Sequence, residues 1–208
     1  MAKKEVIIVV PGVKALSKWP RIARIMGYAL CRALGFKPVY EDHLKIWEKK
    51  ICFGKSKILF LGWSRNPDPL SKLMAVRKLR NLINSLKDSK IKIVGISIGG
   101  EIILEAIKGG HFKNVKTVIL VCSINETHRI SEKKAKIINL YSSRDGFAEA
   151  VIDALSFFDG SKKLAGKNVV NINLRNMDHA DFCTDAEIPL GKYRGKKPSD
   201  IVNLFLRD

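Results

Sequence analysis

The sequence predicts an α/β protein: three layers, with a doubly wound, mostly parallel sheet between two sets of helices. Three features lead to this reading. Short, continuous apolar and β-branched runs recur along the chain, as in strands buried on both faces of a parallel sheet. Segments with apolar residues at three- and four-residue steps lie between them. The two kinds of segment alternate, which calls for right-handed crossovers within one sheet.

Glu5 to Val10 is the first strand, closed by Pro11-Gly12-Val13. A helical spacing follows from about Pro20 to Leu34, with Ile22, Ile25, Met26, Ala29 and Leu30 on one side and Gly35 as its stop. Pro38-Val39-Tyr40 reads as a short strand and His43 to Lys49 as a helical turn. Ile58 to Gly62 is the next buried strand. Asp68-Pro69 then offers a helix cap with proline in the first helical position. Leu70, Leu73, Val76, Leu79, Leu82, Ile83 and Leu86 mark the apolar side of the long helix that follows. Further strands are expected at Ile91 to Ile96, Val115 to Val121, Ile137 to Tyr141 and Val169 to Leu174. Helices are expected after Ile98, around Phe147 to Phe158, and from Pro198-Ser199-Asp200 onward. No repeat, low-complexity tract or linker interrupts the series, so residues 1–208 are expected to form a single domain.

A chain of 208 residues buries roughly 70% of its unfolded surface. Its longest apolar runs fall far short of the ~20 residues of a membrane span. Val6 to Val10 is also too short for the core of a signal peptide, which needs about 7 or more residues. Cys31, Cys52, Cys122 and Cys183 are far apart in sequence, without metal-ligand spacing. They read most simply as buried or free thiols in a reducing, cytoplasmic setting, with two disulfides as the arithmetic alternative. The formal charge of +18 comes from lysines spread along the whole chain, unaccompanied by a nucleic-acid motif. A solvated basic surface with weak, salt-sensitive attraction to anionic surfaces is expected, and no specific nucleic-acid partner.

The chemistry centres on Gly95-Ile96-Ser97-Ile98-Gly99-Gly100, a G-x-S-x-G sequence between a strand and a helix. That context fits a nucleophile elbow, in which the serine sits on a strained turn and Gly95, Gly99 and Gly100 let strand and helix pass closely. A glycine-rich turn that merely packs a sheet, or cradles a phosphate, would look the same over five residues. An acid and a histidine later in the chain, each following a strand, discriminate between these readings. Asp145 follows the strand that ends at Tyr141, and His179 follows the last strand. Both therefore lie on the carboxyl rim of the sheet with Ser97.

In this reading His179 takes the Ser97 proton and Asp145 orients the imidazole. The backbone amides of Ile98 and Val13 supply the oxyanion hole. Glu126 is the alternative acid, while His43, His111 and His128 do not follow a central strand in the required order. Asp178 and Asp181 flank His179, and so close a group gives only a weak metal signal.

These residues resemble the α/β-hydrolase superfamily, and within it the minimal lidless lipases and esterases. The elbow, the turn Leu140-Tyr141-Ser142-Ser143 leading to Asp145, Phe158-Asp159-Gly160 and the late histidine carry the likeness. The resemblance implies cleavage of small or medium acyl esters through an acyl-enzyme, with neither metal nor organic cofactor. It also implies no cap domain, since only Ser123 to Lys134 join the strands where larger members insert one. Pro11 and Ile96 stand where many relatives have histidine, which leaves the substrate class open. Trp19, Trp63, the loop after Val13 and Thr184 to Lys197 are the candidate walls of an acyl pocket. Thioesters, amides or peptides are alternative substrates for the same triad, and a non-catalytic basic binding module is the alternative outside enzymology.

Overall fold

The computed structural model describes residues 4–12, 43–51, 56–66, 68–108, 112–123, 135–145 and 163–207. The strands are β1 (Glu5–Val10), β2 (Lys57–Phe60), β3 (Lys90–Ile96), β4 (Val115–Val121), β5 (Lys136–Tyr141) and β6 (Val169–Asn173). The helices are α1 (His43–Lys50), α2 (Pro69–Ser85), α3 (Ile98–Ile107), α4 (His179–Thr184) and α5 (Pro198–Arg207). Among the described residues the six strands are all parallel, in the order β2-β1-β3-β4-β5-β6.

Strand alternation sorts the apolar residues into two cores. Val6, Ile8 and Val10 of β1 join Ile91 and Ile93 of β3 and Val118 and Leu120 of β4 beneath α2 and α3. Ile7 and Val9, with Val94, Ile96, Ile119 and Val121, face the opposite way toward Trp47 of α1, Phe182 of α4 and Ile201 of α5. Helices therefore cover both faces, and the central strands are apolar on both, as a buried parallel sheet requires. The expected doubly wound α/β architecture is the observed one. No helix among the described residues is long and apolar enough to cross a membrane.

Most element limits agree with the sequence reading to within a residue or two. The inner face of α2 differs. Its buried residues are Ala75, Val76, Leu79 and Ile83, whereas Leu70 and Leu73 are 69% and 47% exposed. At about 100° per residue, Leu70 lies roughly 180° around the helix from Leu79. The inward stripe thus begins a turn later than the leucine spacing suggests. Asp68 caps this helix by accepting from the Ser71 N–H at 2.8 Å, with Pro69 in the first turn. The expected segments at Pro20–Leu34, Pro38–Tyr40 and Phe147–Phe158 lie outside the described residues.

One charge lies deep in the second core. Lys92 is 1% exposed, pairs with Glu5 Oε1 at 3.1 Å, and donates from Nζ to the Leu206 carbonyl at the end of α5. Removing Lys92 leaves the Leu206 carbonyl without this donor and opens a cavity, whereas Glu5, 22% exposed, keeps Lys90 and solvent. Lys92→Ala is expected to lower unfolding stability by about 2 kcal/mol, measured as the urea midpoint at unchanged m-value. A shift under 0.5 kcal/mol would show that the pair contributes little.

Candidate active site

The strand order fixes where a site forms. The chain runs from β1 outward to β2, then crosses back to β3 on the other side of β1. The crevice at this reversal, beyond the carboxyl ends of β1 and β3, is where open α/β sheets bind ligands. Val10 pairs in register with Gly95, so Pro11-Gly12 and Ser97 emerge side by side.

Ser97 stands between β3 and α3 with φ 54° and ψ −129°, a conformation non-glycine residues rarely adopt. Strain of this kind costs about 1–3 kcal/mol and persists only where the surroundings impose it. Its N–H donates to the Val121 carbonyl at 2.9 Å, and its own carbonyl accepts from the Gly100 N–H at 2.9 Å.

The three glycines of the turn serve three different approaches. A Cβ on Gly95 would fall 2.5 Å from Ile103 Cδ1 and 2.8 Å from Gly100 Cα. One on Gly99 would lie 2.1 Å from the Val10 carbonyl oxygen, and one on Gly100 would lie 1.8 Å from Ser123 Oγ. The elbow is thereby pressed against its own helix, against the end of β1 and against the residues after β4.

Ser97 Oγ lies 2.9 Å from His179 Nε2, and His179 Nδ1 lies 3.0 Å from Asp145 Oδ2. Ser97 and Asp145 are buried, and the His179 side chain is 11% exposed. Asp145 closes the turn after β5, where its N–H donates to the Ser142 carbonyl at 3.3 Å. His179 is the first residue of α4. Asp178 accepts from the Asp181 N–H at 2.9 Å and Asp181 accepts from the Asp178 N–H at 3.0 Å, which is a capping box. The two acids that flank the histidine in sequence therefore hold the helix that presents it. Glu126, His111 and His128 lie outside the described residues.

Burial works against the charged His179 ring, while Cys183 and the Asp145 carboxylate favour it and prevail, raising the ring above its ordinary value of 6.5. Only the neutral ring can accept the serine proton. The phosphonate-labelling rate of Ser97 should accordingly climb with pH along a limb centred above pH 6.5. Asp145→Asn should move that limb to lower pH, because the stabilising carboxylate is gone. A limb at or below 6.5 in the parent would contradict the raised ring.

Of the expected oxyanion donors, Ile98 lies in the first turn of α3, where backbone N–H groups have no intrahelical acceptor. Val13 is outside the described residues, but the loop leading to it is well anchored. Trp63 Nε1 donates to the Pro11 carbonyl at 3.0 Å, and Arg65 Nε donates to the Gly12 carbonyl at 2.9 Å. Trp63 packs on the core under α2 and α3 and secures this loop. Trp19 lies outside the described residues. The segment after α4 folds on itself: the Ile188 N–H donates to the Lys196 carbonyl at 2.8 Å, and Ile188 is buried in the second core. Asp185 ties it to α5 by accepting from the Ser199 N–H at 2.8 Å and its hydroxyl at 2.7 Å.

Sequence reasoning missed three neighbours of the site. Arg65 carried no local signal, because the carbonyl it holds belongs to a strand end 53 residues earlier. Cys122 and Cys183 are brought together with His179, their ligand-type atoms all within 4.8 Å of one another. Burial first, and then Cys183, keep the Cys122 thiol well above the usual thiol range.

No protein-family model matches the sequence, and no curated protein matches it. Solved structures similar to this chain include two hydrolases and one protein of no stated activity. Dienelactone hydrolase from Anabaena variabilis is 12% identical, with a TM-score of 0.45 over 99% of this chain and 84% of that one. A serine hydrolase without a lid from Xanthomonas campestris is 11% identical, with a TM-score of 0.43 over 86% of this chain and 75% of that one. The protein TT1662 from Thermus thermophilus is 12% identical, with a TM-score of 0.45 over 86% and 82%.

Proposed function

We propose that this chain is a serine hydrolase of the α/β-hydrolase type that cleaves small or medium acyl carboxylic esters through an acyl-enzyme. The observation behind this reading is the continuous hydrogen-bonded chain from Ser97 Oγ through His179 to Asp145, built on a strained turn between β3 and α3. As Ser97 Oγ attacks the ester carbonyl, its proton passes to His179 Nε2. The imidazolium that forms is held by Asp145 at Nδ1, and the proton is then delivered to the departing alcohol. A water activated by the same nitrogen releases the acid in the second half-reaction.

The tetrahedral oxyanion is assigned to the amides of Ile98 and Val13. Each such donor contributes about 3 kcal/mol at the transition state. The bonds from Trp63 and Arg65 to the Pro11 and Gly12 carbonyls support this assignment, because they fix the peptide planes of the loop before the reaction begins. The whole chain, residues 1–208, is assigned to one domain without a cap.

The test is intact-protein mass after incubation with a fluorophosphonate, beside turnover of p-nitrophenyl esters of graded chain length. A single adduct on Ser97 together with ester turnover is expected. A folded parent that takes no adduct would reject the reading. A preference for matched thioester or anilide substrates would keep the triad and replace the substrate class.

A further inference from the structure

The mechanism uses His179 but neither cysteine beside it. Cys122 and Cys183 are 2% and 3% exposed, and they reach the same place from separate elements, one just beyond β4 and the other in α4. We propose that Cys122, Cys183 and His179 form an inhibitory site for a thiophilic cation such as Zn²⁺, occupied only at the expense of the Ser97–His179–Asp145 chain. The inhibitory consequence rests on the serine-hydrolase reading, whereas the site itself does not.

The donor set is of the right kind. Two thiols and an imidazole suit Zn²⁺ and Cu⁺ and discriminate against Mg²⁺ and Ca²⁺, which take oxygen ligands. The spacing is also close. Zn–S near 2.3 Å and Zn–N near 2.0 Å at a tetrahedral angle put donors roughly 3.5–3.8 Å apart. The three ligand-type atoms lie within 4.8 Å of one another, so closing on a cation requires shifts of about an ångström or less. Binding forms two sulfur–metal bonds and one nitrogen–metal bond, and the two S–H protons, with the extra ring proton when His179 is charged, pass to solvent. Zinc and two thiolates sum to zero charge, so the cation enters without adding a net charge to the core.

Occupancy and catalysis compete for the same ring. Nε2 is engaged by Ser97 and Nδ1 by Asp145, so a nitrogen given to the metal is withdrawn from one of them. Loss of the first contact removes the base from the nucleophile. Loss of the second removes the group that orients the base.

The test begins with anaerobic titration of the reduced full-length protein with Co²⁺. One equivalent should produce an intense near-ultraviolet thiolate-to-cobalt band that Zn²⁺ displaces. The band should vanish in Cys122→Ser and in Cys183→Ser and persist when Cys31 and Cys52 are both replaced by serine. X-ray absorption of the zinc-loaded parent, which needs no variant, should show two sulfur ligands and two lighter ones, the imidazole nitrogen and an oxygen that completes the tetrahedron. Fluorophosphonate labelling of the parent should slow at least tenfold with one equivalent of Zn²⁺ and recover with a chelator. A folded parent without the cobalt band, or without two sulfur ligands on the zinc, would overturn the site. A band with labelling unchanged would overturn the competition. A parent that resists phosphonate even when metal-free would count against the hydrolase reading alone, and the cobalt band would still decide the site.

Discussion

Ser97→Ala is expected to lower ester turnover by about a million-fold, the loss seen when a serine nucleophile is removed from a triad that acts as a unit. The fold should scarcely notice. The turn already holds a non-glycine residue at φ 54°, so alanine inherits the strain without adding to it. What disappears is the hydroxyl and its 2.9 Å contact with His179 Nε2. One such hydrogen bond contributes about 1 kcal/mol net. Steady-state kinetics on a p-nitrophenyl ester, with a thermal melt of the same sample, separates the two effects. A folded variant that keeps even a tenth of the parental kcat would remove Ser97 from the chemistry.

Gly99→Ala should have the largest effect on stability, with a loss of about 4 kcal/mol or more in unfolding free energy. In an exposed helix the same change would stabilise by about 1 kcal/mol through helix propensity. Here sterics overwhelm propensity. The new Cβ would meet the Val10 carbonyl oxygen at 2.1 Å, the Val10 carbonyl carbon at 2.9 Å and the Pro11 oxygen at 3.0 Å. All of these are backbone atoms at the end of a central strand, and no rotamer change moves them aside. Either α3 lifts away from β1, opening the packed core, or the chain fails to fold. Denaturant unfolding of the variant against the parent measures the first case, and loss of soluble expression marks the second. An unchanged midpoint would mean that helix and strand do not approach this closely.

Much of the frame was legible in the sequence. β1, β3, β4 and β5 were readable because a strand buried on both faces is a continuous apolar run, as in Val6 to Val10 and Val118 to Val121. The elbow was readable because its glycines are separated by fixed, short steps, and the Asp68-Pro69 cap for the same reason. The face of α2 was misjudged at Leu70 and Leu73, because leucine marks an apolar residue without saying which neighbour covers it. Asp178 and Asp181 did carry a local signal, the three-residue spacing of a capping box, although the histidine between them drew attention to a metal instead.

The long-range contacts were not legible. Ser97 and His179 are 82 residues apart, and His179 and Asp145 are 34 apart. Their order along the chain could be read, but the distances between them could not. Nothing near Arg65 announces that it holds Gly12, and nothing near Cys122 announces Cys183.

By itself, the sequence determined the kind of segment at each place: where strands are apolar on both faces, where helices begin, and where the backbone must bend sharply around a serine. Those are consequences of sterics and hydrophobic periodicity over a few residues. The tertiary structure alone decided which segments become neighbours. The reversal between β1 and β3 brings Pro11-Gly12 beside Ser97, and β4, β5 and α4 carry Cys122, Asp145, His179 and Cys183 to the same rim. Such convergence depends on strand order and packing summed over the whole sheet, and no short stretch of chain encodes it.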